Sequence, residues 1–186
     1  MEKRADDIVL FNYYRDAELR GADLILRLMN RADDLNLQEP LTRHLADEAQ
    51  HVWLWTERIR ALGGQPVPID DRYHRYLRRK AGLSTDMLEL LALIFVVEER
   101  TNKRYAEHAT RPDIDPETLK VLSEIQADEA WYLAWVTEKL RDLEQSEGKE
   151  RVAATLSRYR ALEAEAFAEL LAAEQKARQE GAKKEE

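Results

Sequence analysis

Cysteine is absent from this 186-residue chain. Disulfides, thiol catalysis and thiolate-bound zinc or iron–sulfur centres are thereby excluded. Glycine and proline are scarce, at 6 and 5 residues; so few turn formers argue against a strand-rich fold and for long helices. Long apolar runs are missing too. The longest, Leu90 to Val97, has eight residues, well short of the ~20 that a membrane-spanning helix requires. Positive charge is in deficit: 29 basic against 37 acidic residues give a net charge of −8. Neither a nucleic acid nor a membrane is therefore an expected partner. The opening MEKRADDIVL is charged and has no long apolar core of the secretory kind, so a cytoplasmic protein is expected.

What is present is helical periodicity. The chain predicts an all-α fold in one domain, residues 1–175, with a four-helix core over about 4–145. Helix one, Arg4 to Asp33, carries Phe11, Tyr14, Glu18, Ala22, Ile25 and Met29 on one stripe. Helix two is expected to start at Glu39-Pro40, with proline at the first helical position, and to end at Gly63-Gly64. Its stripe is Leu41, His44, Glu48, His51, Trp55, Ile59 and Leu62. A long connection to Leu83, with the basic run Arg72–Lys80, is read as a crossover along the length of the bundle. Helix three starts after the capping residues Ser84-Thr85-Asp86 and presents Leu91, Ile94, Glu98, Thr101 and Tyr105. Helix four follows Asp115-Pro116 with Leu122, Ile125, Glu129, Tyr132, Val136 and Leu140. A fifth helix, about 149–176, carries Val152, Leu156, Tyr159, Leu162, Ala166 and Leu170, and must lie on the bundle or on a partner. The tail 177–186 is expected to be disordered.

The chemistry concentrates at Asp47-Glu48-Ala49-Gln50-His51 and at its echo 81 residues on, Asp128-Glu129-Ala130-Trp131-Tyr132. Positions three apart share a helix face, so Glu48 and His51 can hold one ion together. Glu18 and Glu48 are thirty residues apart with Asp33 midway; Glu98 and Glu129 are thirty-one apart with Asp113-Ile114 midway. Both midpoints fall in predicted turns, so each hairpin brings a Glu pair to one height. Four buried carboxylates demand protons or cations, and oxygen donors with imidazole suit iron or manganese. On helix three the stripe favours Glu98, whereas the 81-residue echo of Glu18 lands on Glu99; both stay candidates. His44, one turn before Glu48, either supports the ligands or packs in the core. His108 lies ~15 Å beyond Glu98 along the helix, too far to be a ligand. His74 and the basic run are read as a solvated linker face.

This pattern resembles the ferritin-like di-iron carboxylate proteins, which carry one Glu on each of two helices and Glu-x-x-His on each of two others. Glu18, Glu48, His51, Glu98 and Glu129 match five of six positions, over roughly residues 5–145. Glu98 to Tyr105 is similar to the third-helix segment of tRNA-hydroxylating di-iron enzymes, and rubrerythrin-like and bacterioferritin-like proteins also place an aromatic where Tyr105 stands. The resemblance implies two iron ions, or manganese or a mixed pair, with Asp128 orienting His51 and Asp47 facing Tyr132. Tyr132 takes the place of the second His; lining residue, ferric phenolate ligand and redox group are all open readings. The implied activity is reaction with O2 or hydrogen peroxide, as oxidase, peroxidase or hydroxylase of a small-molecule substrate. Without cysteine the electron donor must be external. An iron-handling ferroxidase and a metal-free interaction module are the alternatives. Trp53, Trp55, Trp131 and Trp135 occupy different sides of their helices and cannot all face inward. An outward aromatic suits a contact between copies, and a homodimer is expected.

Overall fold

A computed structural model describes residues 2–31, 35–69, 72–82, 84 and 86–182. The described residues form six helices and no strand: α1 Glu2–Met29, α2 Leu35–Ala61, α3 Arg72–Ala81, α4 Met87–Ala109, α5 Pro116–Glu147 and α6 Lys149–Ala182. Among them, no helix is long and apolar enough to cross a membrane.

Local chemistry sets most of the boundaries. Gly63 takes φ +79°, and the amides of Gly63 and Gly64 bond back to Arg60 and Ile59, the paired closure that a left-handed glycine permits at a helix end. Asp86 caps α4 by accepting from Glu89 N. Asp115 caps α5, accepting from Thr118 N at 3.0 Å and from Arg58 at 2.6 Å. Burial opposes the charge on Asp115, but the bonds from Thr118 and Arg58 outweigh it and draw the carboxyl from 3.8 down to about 2. A depressed carboxyl adds stability above its unfolded pKa and loses it as pH falls through the folded value. Asp115→Ala should therefore cost ~1 kcal/mol near neutrality, a difference from wild type that thermal melts should show vanishing between pH 4 and 2.

One predicted boundary is corrected. α2 begins at Leu35, so Pro40 lies inside the helix, not at its first position. The bond proline cannot donate would run to Asn36, which stands exposed at the helix start, where the loss is cheap. α6 also continues to Ala182, through much of the stretch expected to be a disordered tail. Asp33, Thr85 and residues 183–186 lie outside the described residues.

Contacts between elements give their directions. Phe11 meets Trp55 and Glu18 meets His51, so α1 and α2 run antiparallel. Gln126 meets Asn102 and Glu129 meets Glu98, so α4 and α5 do too. His44 meets Glu98 and Trp55 meets Tyr105, so α2 and α4 run the same way. The end of α2 and the start of α4 thus lie at opposite ends of these helices, with α3 between them in the chain.

Two apolar clusters fill the space among α1, α2, α4 and α5. One contains Phe11, Tyr14, Trp55, Ile59, Tyr105, Leu122 and Ile125; the other contains Ile25, Leu28, Leu41, Leu91, Ile94, Tyr132, Val136 and Leu140. On every one of the four helices the predicted Glu lies between the two sets. A polar layer is therefore clamped from both ends by apolar burial worth ~1.5–3 kcal/mol per large side chain.

α6 covers the outer face of α4, with Ala92, Val96 and Tyr159 packed together and α3 joining through Tyr73, Leu77, Val97 and Ala166. Arg100 grips both oxygens of buried Glu163 at 2.9 Å, and Arg104 both oxygens of Glu174 at 2.5 Å. Trp55 is fully buried, whereas Trp53 is about half exposed.

Candidate metal centre

Six side chains meet in the polar layer: Glu18 from α1, His44, Glu48 and His51 from α2, Glu98 from α4 and Glu129 from α5. Each is at most 4% exposed. Their donor atoms fall into two sets, within each of which all lie within 4.8 Å of one another: Glu18, Glu48 and His51, and His44, Glu48, Glu98 and Glu129. Glu48 belongs to both.

The separations do not suit hydrogen bonding. His51 Nδ1 is 3.5 Å from Glu18 and 3.4 Å from Glu129; His44 Nε2 is 3.5 Å from Glu48 and 3.6 Å from Glu98. Such gaps exceed the normal N···O range but fit atoms sharing an ion, since bonds of ~2.1 Å put co-ligands up to ~4.2 Å apart. Among the described residues His44 Nε2, His51 Nδ1, Glu48 Oε2 and both Glu129 oxygens have no hydrogen-bond partner. Buried polar atoms are seldom left so, and this cluster aims all of them at one place. The donors lie close enough together to hold a metal ion.

The charges show the same need. Burial first, then the charges of Glu18 and Glu98, push the Glu48 carboxyl well above its ordinary range; Glu129 is raised by burial and by Glu98 and Glu18. Burial works to raise Glu18 as well, but neighbouring His51 and Tyr105 bring it below the usual value. His51 is raised, because Glu18 and Asp128 outweigh its burial. Without cations, protons must take up part of the excess negative charge.

Supporting contacts hold the donors in place. Tyr105 donates to Glu18 Oε1 and accepts from Trp55 Nε1 at 3.2 Å. Asp128 is 3.3 Å from His51 Nε2, leaving Nδ1 turned to the acids. Asp47, expected opposite Tyr132, is not bonded to it: Tyr132 Oη has no hydrogen-bond partner among the described residues, and Asp47 lies 3.9 Å from Arg43. The His44 ring lies flat on Tyr132, with centroids 3.4 Å apart and planes 7° apart. Between Glu98 and Glu99 the geometry is unequivocal, for Glu99 reaches outward to Arg160 with both oxygens at 3.0 Å. His108 bonds Tyr14 at 3.2 Å and takes no part in either set.

Two participants escaped the sequence reading. His44 was expected as support or packing, yet its Nε2 stands among the donors. The available signal was its spacing: His44, Glu48 and His51 occupy successive turns of one stripe. Gly21 carried no signal of its own. A Cβ there would lie 2.2 Å from Glu48 Oε1, so a bare backbone on α1 makes room for the shared carboxylate. Gly21→Ala should keep or raise thermal stability, since alanine is favoured over glycine by up to ~1 kcal/mol in helices. By displacing Glu48 it should weaken metal binding by ~10–100-fold, the scale on which changes beside the ligands act; calorimetric titration against melting curves separates the two effects. No protein-family model, curated protein or solved structure matches the chain.

Proposed function

We propose that this chain is a ferritin-like four-helix-bundle protein with a carboxylate-bridged two-metal centre, reacting with O2 or hydrogen peroxide as an oxidase, peroxidase or hydroxylase. The supporting observation is the sharing of Glu48 by two buried donor sets in which His44 Nε2, His51 Nδ1, Glu48 Oε2 and both Glu129 oxygens lack a hydrogen-bond partner among the described residues. Glu18 and His51 would hold one ion, His44, Glu98 and Glu129 the other, with Glu48 between them. Iron is the first choice and manganese the second, on donor type. Bound iron would supply reversible one-electron chemistry and affinity for dioxygen.

The remaining roles belong to the protein. The two apolar clusters keep bulk water from the layer, which strengthens every charge interaction within it. Asp128 holds the His51 ring with Nδ1 inward. Tyr105 donates a hydrogen bond to Glu18 Oε1 and so holds that carboxylate in place, while burial first, and the charge of Glu18 next, raise its own phenol well above the ordinary value. Tyr132, buried against His44, is likewise raised by burial and by Glu98, Glu48 and Glu129, so its phenol stays protonated.

The test is anaerobic titration with Fe(II), followed by exposure to air. Two ions per chain and oxygen uptake that depends on them are expected. A chain that takes up neither iron nor manganese sinks this reading and leaves a helical interaction module.

A further inference from the structure

The His44 ring joins the donors to a chain of aromatic rings. It lies face to face with Tyr132, centroids 3.4 Å and planes 7° apart, while its Nε2 faces Glu48 and Glu98. Tyr132 in turn stacks on Trp135, one turn along α5, at 5.5 Å and 26°. Positions three apart share a helix face, and offset stacking at such separations is a favoured contact of aromatic rings. Trp135 is only partly buried. Three rings in contact thus lead from a buried donor atom to a side chain that meets solvent.

The apolar cluster that carries Tyr105 offers no such outlet. Tyr105, bonded to Glu18, touches Tyr14 and Trp55 with centroids 4.8 and 5.7 Å apart, and Phe11 adjoins both of those. None of these four rings is more than 2% exposed. On α5 itself, Trp131 is a poorer neighbour for Tyr132 than Trp135 is, at 6.4 Å and 36°. The Arg43 guanidinium also lies 4.0 Å over the Trp131 ring. A cation there opposes the positive charge left when an indole loses an electron. A path for electrons has a use in such a protein. Reducing O2 to two waters takes four electrons and four protons, and two ferrous ions supply only two of those electrons as they become ferric. The chain holds no cysteine, and so no thiolate-bound iron–sulfur relay.

We propose that the His44–Tyr132–Trp135 stack is a one-electron conduit between the metal centre and an external one-electron donor, with Trp135 as the residue that is oxidised and reduced. This role rests on the two-metal reading. Trp135 gives one electron through the Tyr132 and His44 rings to the ion held by His44 and becomes an indole radical cation. One electron from the donor restores the neutral indole. No bond forms or breaks, and no proton has to move. Tyr132 conducts as a ring. Its Oη has no hydrogen-bond partner among the described residues, so no group is in place to take the proton that a phenol releases on losing an electron.

The test runs the conduit backwards, without O2. The full chain is loaded anaerobically with Fe(II), and a flash generates tris(bipyridine)ruthenium(III) in solution, an oxidant too bulky to enter the protein. Trp135 loses one electron to it and then regains one from Fe(II), leaving neutral indole and Fe(III). Transient absorption should show the tryptophan radical decaying as ferric iron forms, and lasting longer in the metal-free protein. Trp135→Phe should slow the formation of ferric iron by an order of magnitude or more, at unchanged iron stoichiometry. Tyr132→Leu should slow the decay of the radical to a similar extent, whereas Tyr132→Phe, which keeps the ring, should leave it unchanged. Trp53→Phe, at a half-exposed indole of α2, should change neither rate. Ferric iron formed at the wild-type rate in Trp135→Phe, or radical decay indifferent to Tyr132→Leu, would overturn the conduit and leave the two-metal reading intact. A Tyr132→Phe variant as slow as Tyr132→Leu would overturn the purely conducting role of that ring. A chain that loads no Fe(II) would sink the two-metal reading and the conduit with it.

Discussion

Glu48→Ala is expected to abolish uptake of both ions, whereas His51→Ala and His44→Ala should each leave one. The asymmetry follows from membership: Glu48 belongs to both donor sets, His51 to one and His44 to the other. The effect should be large in stability as well as stoichiometry. Each ion held at 100 times its dissociation constant stabilises the folded state by ~2.7 kcal/mol. For a chain of this size 1 kcal/mol corresponds to ~2–4 °C, so a fully loaded wild type should melt ~10–20 °C above its metal-free form. Glu48→Ala should show no such gain, and the two histidine variants about half of it. Glu99→Ala serves as the control, since Glu99 pairs outward with Arg160. Two ions retained by Glu48→Ala would contradict the shared-carboxylate arrangement. Two ions retained by His44→Ala would return His44 to a supporting role.

The metal-free protein should lose stability as pH rises through neutrality, opposite to a protein whose paired acids favour the ionised form. Burial and the neighbouring acids raise Glu48 and Glu129 well above 4.5, and Glu18 and Asp128 raise His51 above 6.5 against its burial. A group raised on folding contributes stability that is whole below its unfolded pKa and is lost as pH climbs through the folded value. The loss should therefore begin above about pH 4.5 and continue past neutrality. Glu18, lowered on balance, acts in the other direction but only below 4.5, outside this window. Each unit of displacement is worth ~1.4 kcal/mol, so two carboxyls and an imidazole together should move the melting temperature by many degrees. Metal reverses the slope, because cations compete with protons for the same atoms and bind better as pH rises. Melting curves across about pH 5 to 8, with and without Mn(II), check both limbs. Glu48→Gln/Glu129→Gln should flatten the metal-free limb; a wild-type limb already flat, or rising, would refute the charge assignment.

Much of the height of the site is a matter of arithmetic along the chain. An α-helix advances by a constant rise, so equal arms about a turn bring Glu18 level with Glu48 and Glu98 level with Glu129 whatever the packing. Caps at Asp86 and Asp115 and the glycine end at Gly63 depend only on neighbours within a turn, and their positions were legible for that reason. Pro40 was not: proline is acceptable at a helix start, and it is also tolerated a turn further in when the carbonyl it deprives is exposed.

By itself, then, the sequence determined the four main helical stretches and at what level the acids lie, because both follow from a fixed period and rise; it did not give the helix over Arg72–Ala81, the start of α2 or the extension of α6. It left open how far each helix is rotated about its axis and how closely the backbones approach. Only the tertiary structure decided those, and with them the identity of the donors. Rotation of α4 turned Glu98 inward and handed Glu99 to Arg160 on α6. Close approach of α1 at Gly21 admitted the Glu48 carboxylate. The flat stacking of His44 on Tyr132 placed an imidazole from α2 among the donors while α5 contributed a phenol ring. Such choices depend on contacts between residues tens of positions apart, whose energies no local pattern in the chain can specify.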